Sequence, residues 1–475
     1  MSWVGELLAK YTWLRELLPI VGLLVVIVLV VHRLPRVDLG HSPAFLRRRF
    51  FNWFPVGLTY AFLYMARYNL NTLSKMGFIE PTDFSVINTV FAITYGVSFI
   101  INGPLTDRYG GKITILVGVV GAAAVNLAMG LMSPEFQAAP GMKVAPLPPE
   151  TITMFAVLTG LNAYFQSFGA VAIVKINAPW FDIRERGTFG AIFGILISLG
   201  LWLAFDWTQF IAWLIPIPWV FYAPSMVLFG FAVWIGMTVR NTPEEAGYRE
   251  LEANDASLGD HRTLGVGYVF KKMLTNPIIL TIALVEFCSG FLRQSTLQYY
   301  RSFTGAIGHT DFVTDNWGAL SCCAGILGGI FAGVISDRLF DSRRGPVSAV
   351  LYAIITVGAL LAIPLYTEVY ILGPLILVMS MSVIGVHGML SGTASMDFGG
   401  KKNAGVAVGI IDGFVYLGYG AMALLYSFVL PEGAAKKDPA NWLAWPISMV
   451  PMAILGFFLA RRLWNARPQR GGGGH

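Results

Sequence analysis

The chain has 475 residues, of which 55% are hydrophobic and only 13% charged, with a mean hydropathy of +0.64. Soluble domains carry about a quarter charged residues, so this composition places the chain in a membrane and excludes a string of soluble domains. The net charge of +6 does not describe a nucleic-acid surface, because the basic residues sit in short clusters between apolar runs, as membrane topology arranges them.

A membrane-spanning helix needs about 20 apolar residues, and such runs fall at 17–34, 53–73, 84–104, 112–132, 151–175, 187–210, 219–238, 277–300, 315–336, 346–366, 370–396, 404–429 and 440–462. The first run lacks a small-residue cleavage site and is followed by His32-Arg33-Leu34-Pro35-Arg36, so it reads as a retained anchor helix rather than a signal peptide. The basic linker behind it carries Arg33, Arg36, Arg47, Arg48 and Arg49. Alternate loops then repeat the pattern with Arg108 and Lys112, Arg184 and Arg186, Lys271 and Lys272, Arg343 and Arg344, and Lys401 and Lys402. The positive-inside rule puts these loops and the C-terminus in the cytoplasm and the N-terminus outside; Lys436 and Lys437 are the main exception.

These runs divide the chain into an extra helix and linker (1–52), six helices (53–238), a polar cytoplasmic loop (239–276), six further helices (277–463) and a tail (464–475). Gly471 to Gly474 before His475 read as a linker remnant. Cys288, Cys322 and Cys323 lie inside apolar runs, with no metal-ligand spacing, and read as small core residues.

The two six-helix halves repeat. Gly103-Pro104-Leu105-Thr106-Asp107-Arg108 ends the second run of the first half, and Gly333-Val334-Ile335-Ser336-Asp337-Arg338 ends the second run of the second. A single intramembrane arginine precedes each: Arg67 lies 40 residues before Asp107, and Arg293 lies 44 before Asp337. Two markers at matched spacing predict parallel halves related by an axis along the membrane normal, with a substrate site between them near the midplane.

An arginine at bilayer depth costs about 2.5–3.5 kcal/mol on insertion scales. A lone one offsets that cost by reaching an interface or pairing with an acid, but two at equivalent positions point to a shared cavity. The planar guanidinium fork matches the oxygens of phosphate or another oxyanion. Tyr60, Tyr64, Tyr95 and Tyr299 lie where a phenol reaches such an anion, with Tyr64 one turn before Arg67. Glu286, two turns before Arg293, and Asp412, behind a glycine-rich run, are the deep acids: each is placed to pair with an arginine or to take up a proton. His387 is also embedded, while Lys175, Asp206, Glu368 and Asp397 read as interfacial. Asp107, Arg108, Asp337 and Arg338, at the membrane edge, are placed to hold neighbouring helices together as a gate.

The doubled Gly-x-x-x-Asp-Arg loop resembles the signature of the major facilitator superfamily. Four stretches resemble its organophosphate:phosphate antiporter branch: Ser336-Asp337-Arg338-Leu339-Phe340 with Arg343-Arg344-Gly345, Trp180-Phe181 with Glu185-Arg186-Gly187, Lys401-Lys402-Asn403-Ala404-Gly405, and Gly413 to Gly418. The resemblance implies an all-α 6+6 bundle, here with one extra N-terminal helix, in a bacterial inner membrane. It implies that Arg67 and Arg293 bind phosphate, that Gln166 lies in the site, and that Arg186 belongs with the gates. Where the branch often has a lysine and a histidine this chain has Phe99 and Ile197, and a further common lysine is Tyr68. A cavity with fewer cations suits a monoanionic or more apolar substrate, such as a phosphodiester or a phospholipid-like head group. The expected function is secondary transport of an organic phosphate or related anion by alternating access, in exchange for phosphate or with ion coupling, with phosphate or a proton as the candidate coupling ion. The alternative is a transporter-like sensor of a phosphorylated metabolite. An enzyme is not expected: there is no nucleophile–base pair and no phosphate-cradling glycine loop, and only Glu286 or Asp412 is available to a membrane transferase or hydrolase. No metal or cofactor is expected, and membrane lipids are the surrounding partners.

Overall fold

The computed structural model describes residues 41–137, 144–181, 186–248, 268, 271, 273–340 and 344–465, with side chains at all of these except 186–193, 333–338 and 392–405. The anchor run at 17–34, most of the loop at 239–276, and the tail beyond 465 lie outside the described residues. Twelve long helices make up the described fold: α1 (Pro43–Tyr68), α2 (Pro81–Tyr109), α3 (Gly111–Leu131), α4 (Pro149–Asn177), α5 (Arg186–Trp202), α6 (Trp219–Thr238), α7 (Pro277–Gln294), α8 (Trp317–Leu339), α9 (Arg344–Leu365), α10 (Val369–His387), α11 (Ser395–Val429) and α12 (Ala444–Arg462). Ten stretches are long and apolar enough to cross a membrane by length and composition. Large apolar side chains such as Val157, Val233 and Phe458 cover the outside of the bundle, as hydrocarbon requires.

Local chemistry sets the helix ends. Proline occupies the first turn of α1, α2, α4 and α7, where its missing N–H costs nothing. Asn276 caps α7 by accepting from the N–H groups of Ile278 and Ile279, at 2.9 and 3.4 Å. Ser42 caps α1, which therefore starts at Pro43 and not near residue 53. Arg47, Arg48 and Arg49 are thus helical rather than part of a linker. Arg48 donates to the Thr238 carbonyl at 2.8 Å and Arg49 to that of Trp180 at 3.3 Å, so these cations satisfy helix C-terminal carbonyls as well as setting topology. Three helices continue through a π-helical turn, at Leu203–Trp207, Ser295–Tyr299 and Gly388–Ala394. Widened turns of this kind often mark functional sites.

The repeat is visible in the packing. The pairs α1–α5, α2–α4 and α3–α6 in the first half have counterparts α7–α11, α8–α10 and α9–α12 in the second. Across the halves, α2 packs on α11 and α5 on α8, which are again equivalent under exchange of halves. Glycines allow the closest approaches: a Cβ on Gly290 would lie 1.8 Å from the Val415 carbonyl oxygen, and one on Gly418 would lie 1.9 Å from that of Phe287. Small residues are what bring helices together in lipid, where no hydrophobic force acts between them. Cys288 and Cys322 are buried as expected, whereas Cys323 is exposed, because it lies on the outward side of α8.

Gly290→Ala must push α7 from α11 and should cost about 1–3 kcal/mol, the usual cost of overpacking. Gly329→Ala, whose Cβ meets nothing within 4 Å, should be neutral or stabilising. Thermal unfolding of the two purified variants checks the difference.

Candidate functional site

Arg67, near the C-terminal end of α1, is 5% exposed. Its Nε donates to Gln166 Oε1 at 3.0 Å, Nη1 to the Tyr416 hydroxyl at 2.6 Å, and Nη2 to the Tyr95 hydroxyl at 2.6 Å. The acceptors come from α4, α11 and α2, and all three are neutral. Gln166 is fixed in turn: its amide donates to Asn162 Oδ1 at 3.0 Å, and Asn162 donates to the Ala66 carbonyl at 2.9 Å. The guanidinium carbon lies 4.5 Å from the Tyr64 ring, 4.7 Å from that of Tyr95 and 5.9 Å from that of Tyr60. Arg67 is therefore held by dipoles and π faces, and among the described residues no carboxylate oxygen lies in ion-pair range. A guanidinium has five N–H donors. Three are engaged, which leaves one N–H on each of Nη1 and Nη2 for an oxyanion.

Arg293, at the end of α7, is likewise 5% exposed and makes no hydrogen bond or ion pair with a described side chain. Its electrostatic neighbours are Tyr64, Tyr416, Tyr68 and Glu286. Tyr64 and Tyr416 are also neighbours of Arg67, so the same phenols stand beside both cations. The structure thus brings together Arg67, Arg293, Tyr60, Tyr64, Tyr95 and Gln166. Tyr299 does not join them: it sits on the π turn after α7 and donates to Ser85 Oγ at 2.9 Å. Phe99 packs behind the site, with its ring centroid 4.7 Å from that of Tyr95 and 5.7 Å from that of Tyr416. Ile197 is half-buried against the same core.

Tyr416 has no counterpart among the sequence expectations. The signal available was its place four residues after Asp412, inside the Gly413 to Gly418 stretch. The acids also have partners the sequence did not reveal. Glu286, fully buried, places Oε2 2.9 Å from Nδ1 of His387, and Asp412 accepts a hydrogen bond from the Ser391 hydroxyl. Neither acid forms an ion pair with Arg293. Among the described residues no three His, Cys, Asp or Glu side chains group as metal ligands.

The halves are bridged at both ends. At the end bearing the Asp-Arg loops, Asp107 pairs with Lys175 Nζ at 2.7 Å and accepts from the backbone N–H of Val406 at 3.3 Å, linking α2 to α4 and to α11. Arg108 is exposed over Tyr109. The side chains of Asp337, Arg338 and Arg186 lie outside the described residues. At the opposite end, Asn71 donates to Gln298 at 3.0 Å, Gln294 to Tyr68 at 2.9 Å, and Lys436 pairs with Glu80 at 2.6 Å. Asp206 is not a simple interfacial acid. It accepts from the N–H groups of Gly318 and Ala319, at 2.9 and 2.8 Å, capping α8 of the other half, and Arg301 Nη1 stands 3.9 Å away.

The sequence profile of the Major Facilitator Superfamily matches residues 50–423. The chain belongs to that superfamily. It is similar to the glycerol-3-phosphate transporter of Bacillus subtilis (strain 168), at 27% identity over 90% of this chain and 95% of that protein. It is also similar to the membrane sensor protein UhpC of Salmonella typhimurium (25%; 76% and 81% covered) and to a probable hexose phosphate transport protein of Chlamydia pneumoniae (23%; 86% and 89% covered). These relatives are members of the organophosphate:phosphate antiporter family, as the sequence motifs indicated. The fold matches the structure of a bacterial homologue of the human lysosomal transporter Spinster, with a TM-score of 0.61 at 13% identity, covering 90% of this chain and 98% of that one. The protein is an integral membrane protein of the superfamily's all-helical fold.

If Asp107 works as a gate between α2, α4 and α11, Asp107→Asn should slow transport while leaving ligand affinity within about twofold, because its partners are Lys175 and the Val406 N–H and not the arginines of the anion site. Uptake into proteoliposomes, set beside binding to the detergent-solubilised protein, checks this. Lost binding in a folded variant overturns it.

Proposed function

We propose that the protein is an alternating-access carrier for an organic phosphate or related organic anion. One observation carries this reading: Arg67 and Arg293, one from the first helix of each half, are buried beside the same tyrosines, and among the described residues no carboxylate forms an ion pair with either. A buried charge without a counter-charge is strongly unfavourable. A site that holds two such cations, neither of them ion-paired with a described carboxylate, is built for an anion that pairs with them. The kinship with glycerol-3-phosphate and hexose phosphate transporters supports a phosphorylated substrate.

The bundle sits in a bacterial inner membrane with its Asp-Arg end at the cytoplasm, a reading supported by the basic loops and by the bacterial relatives. Phe99 backs Tyr95 and Tyr416 at the site with apolar surface, and Ile197 adds no charge to the core it packs against. That favours a substrate of low charge with an apolar or bulky group, such as a phosphodiester. A second reading, a sensor that binds a phosphate ester and moves it slowly, is supported by the relative named as a membrane sensor. Reconstitution separates the two, since a sensor binds the ester but carries it only slowly.

Arg67→Lys and Arg293→Lys each retain the charge and lose the planar fork. A charge-assisted hydrogen bond contributes about 1.5–3 kcal/mol, so each variant should bind about one to two decades more weakly at 1.4 kcal/mol per decade. The double variant should fall short of the summed loss, because both forks grip one group. Thermal shift with glycerol 3-phosphate and glycerophosphocholine checks both the loss and the preference between monoester and diester. Wild-type affinity in either folded single variant would remove that arginine from the site.

A further inference from the structure

Beside the anion site the second half holds a separate group of titratable side chains. Glu286 on α7 is fully buried; Oε2 faces His387 Nδ1 at 2.9 Å, and Oε1 accepts no hydrogen bond. Asp412 on α11 is buried against the Ser391 hydroxyl, and its charged neighbours are His387, Glu286 and Arg293. The helices packed on α7 account for the rest. Among the described side chains, α11 adds the phenols of Tyr416, Tyr419 and Tyr426, and α10 adds His387, with Tyr370 exposed at its far end. α12 has no titratable side chain before Arg461. Tyr352 of α9 donates to the Val285 carbonyl at 2.7 Å, and the Cys288 thiol lies on α7 itself. Two carboxylates therefore face one guanidinium and one imidazole.

We propose that Glu286, His387 and Asp412 form a proton-binding site that couples anion movement to proton movement. The inference rests on the carrier reading above and deepens it by naming the coupling ion. With the imidazole neutral, the two carboxylates and Arg293 sum to −1, and a single proton brings the cluster to zero. When a substrate anion takes up Arg293, the carboxylates lose the counter-charge that this guanidinium supplies and their demand for a proton rises. Linkage makes the effect reciprocal: a proton on the cluster frees Arg293 and strengthens anion binding by the same factor. Imidazole chemistry suits proton passage at neutral pH, and the His387 side chain is 18% exposed while the Glu286 carboxyl it touches is fully buried. The proton comes from water on one side and rests on the Glu286 carboxylate or the His387 ring. It leaves to water on the other side after the anion departs, and no other bond changes. Anion and proton then travel in the same direction.

The test uses the full chain in liposomes with radiolabelled glycerol 3-phosphate. One arm measures exchange with the same ester loaded inside. The other starts with a lumen free of phosphate and imposes an acid-outside gradient. Expected for the wild type is accumulation in the second arm that a protonophore abolishes. Glu286→Gln and Asp412→Asn should keep exchange and lose gradient-driven accumulation by about tenfold or more, within the usual range for coupled sites. A merely structural pair would lower both arms together. Accumulation that needs a phosphate in the lumen, or that follows a sodium gradient, with variants matching the wild type, overturns the proton site and leaves the carrier reading standing. Failure of the wild type in both arms removes glycerol 3-phosphate as a substrate, and the proton site is then decided without ligand. A protonated-carboxyl band in the pH-difference infrared spectrum that Glu286→Gln or Asp412→Asn abolishes supports it. A wild-type spectrum with no titrating carboxyl band across the neutral range overturns it.

Discussion

The geometry of the centre follows from the need to keep one guanidinium charged inside a lipid-embedded bundle without giving it an acid. Each neutral acceptor on Arg67 has to be delivered by a separate helix and fixed from behind, and Asn162, bonded to the Ala66 carbonyl, does this for Gln166. The phenols of Tyr95 and Tyr416 accept from the η nitrogens, and the face of Tyr64 adds a cation–π contact. A carboxylate in place of any of these would neutralise the charge and close the site to an anionic ligand. The acids that are present, Glu286 and Asp412, are instead engaged by His387 and Ser391, within the field of Arg293 but not bonded to it.

The second requirement is that two such arginines meet, and the pseudo-twofold packing provides it. α1 and α7 are equivalent helices, each continued beyond its arginine by an irregular segment, the Asn69 break in one and the Ser295–Tyr299 π turn in the other. The glycine contacts do the close work. Gly290 and Gly418 bring α7 onto α11, and Gly96 packs against the Gly413 carbonyl to bring α2 onto α11. α11 thus lies against both halves and carries Tyr416 to Arg67 and Asp412 toward Arg293.

Much of this was legible in the sequence because a charge inside an apolar run is costly and so stands out. Arg67, Arg293, the Asp107 and Asp337 repeats and the six-plus-six division were all read that way. Tyr64 followed from its place one turn before Arg67 and Tyr95 from its central place on the second run, whereas Gln166 came from the family resemblance. The rest was hidden for definite reasons. Tyr416 is 349 residues from Arg67, and a tyrosine in a glycine-rich apolar helix carries no signal of its own. The pairing of His387 with Glu286 joins α10 to α7, a neighbour relation that only the packed bundle defines. Asp206 looked interfacial because its role, capping the first N–H groups of α8, depends on a helix terminus in the other half. The start of α1 was misplaced because three arginines lower the hydropathy of its first turns, although Ser42-Pro43 is a good helix start. Tyr299 was placed by register alone, and the widened turn at Ser295–Tyr299 turns it toward Ser85.

Tyr416 also gives the anion site a mechanical consequence. It reaches Arg67 from the opposite half, so the Arg67–Tyr416 hydrogen bond is a contact between halves made at the site itself. Moving the halves apart on that side leaves a buried guanidinium N–H without an acceptor, at a cost of about 1–3 kcal/mol or more for a charged group. An oxyanion seated on the free N–H groups of Nη1 and Nη2 supplies replacement oxygens, so the loaded site rearranges with its donors satisfied while the unloaded one does not. The same N–H groups that recognise the anion therefore penalise movement without it, and ligand and motion are coupled through a single side chain.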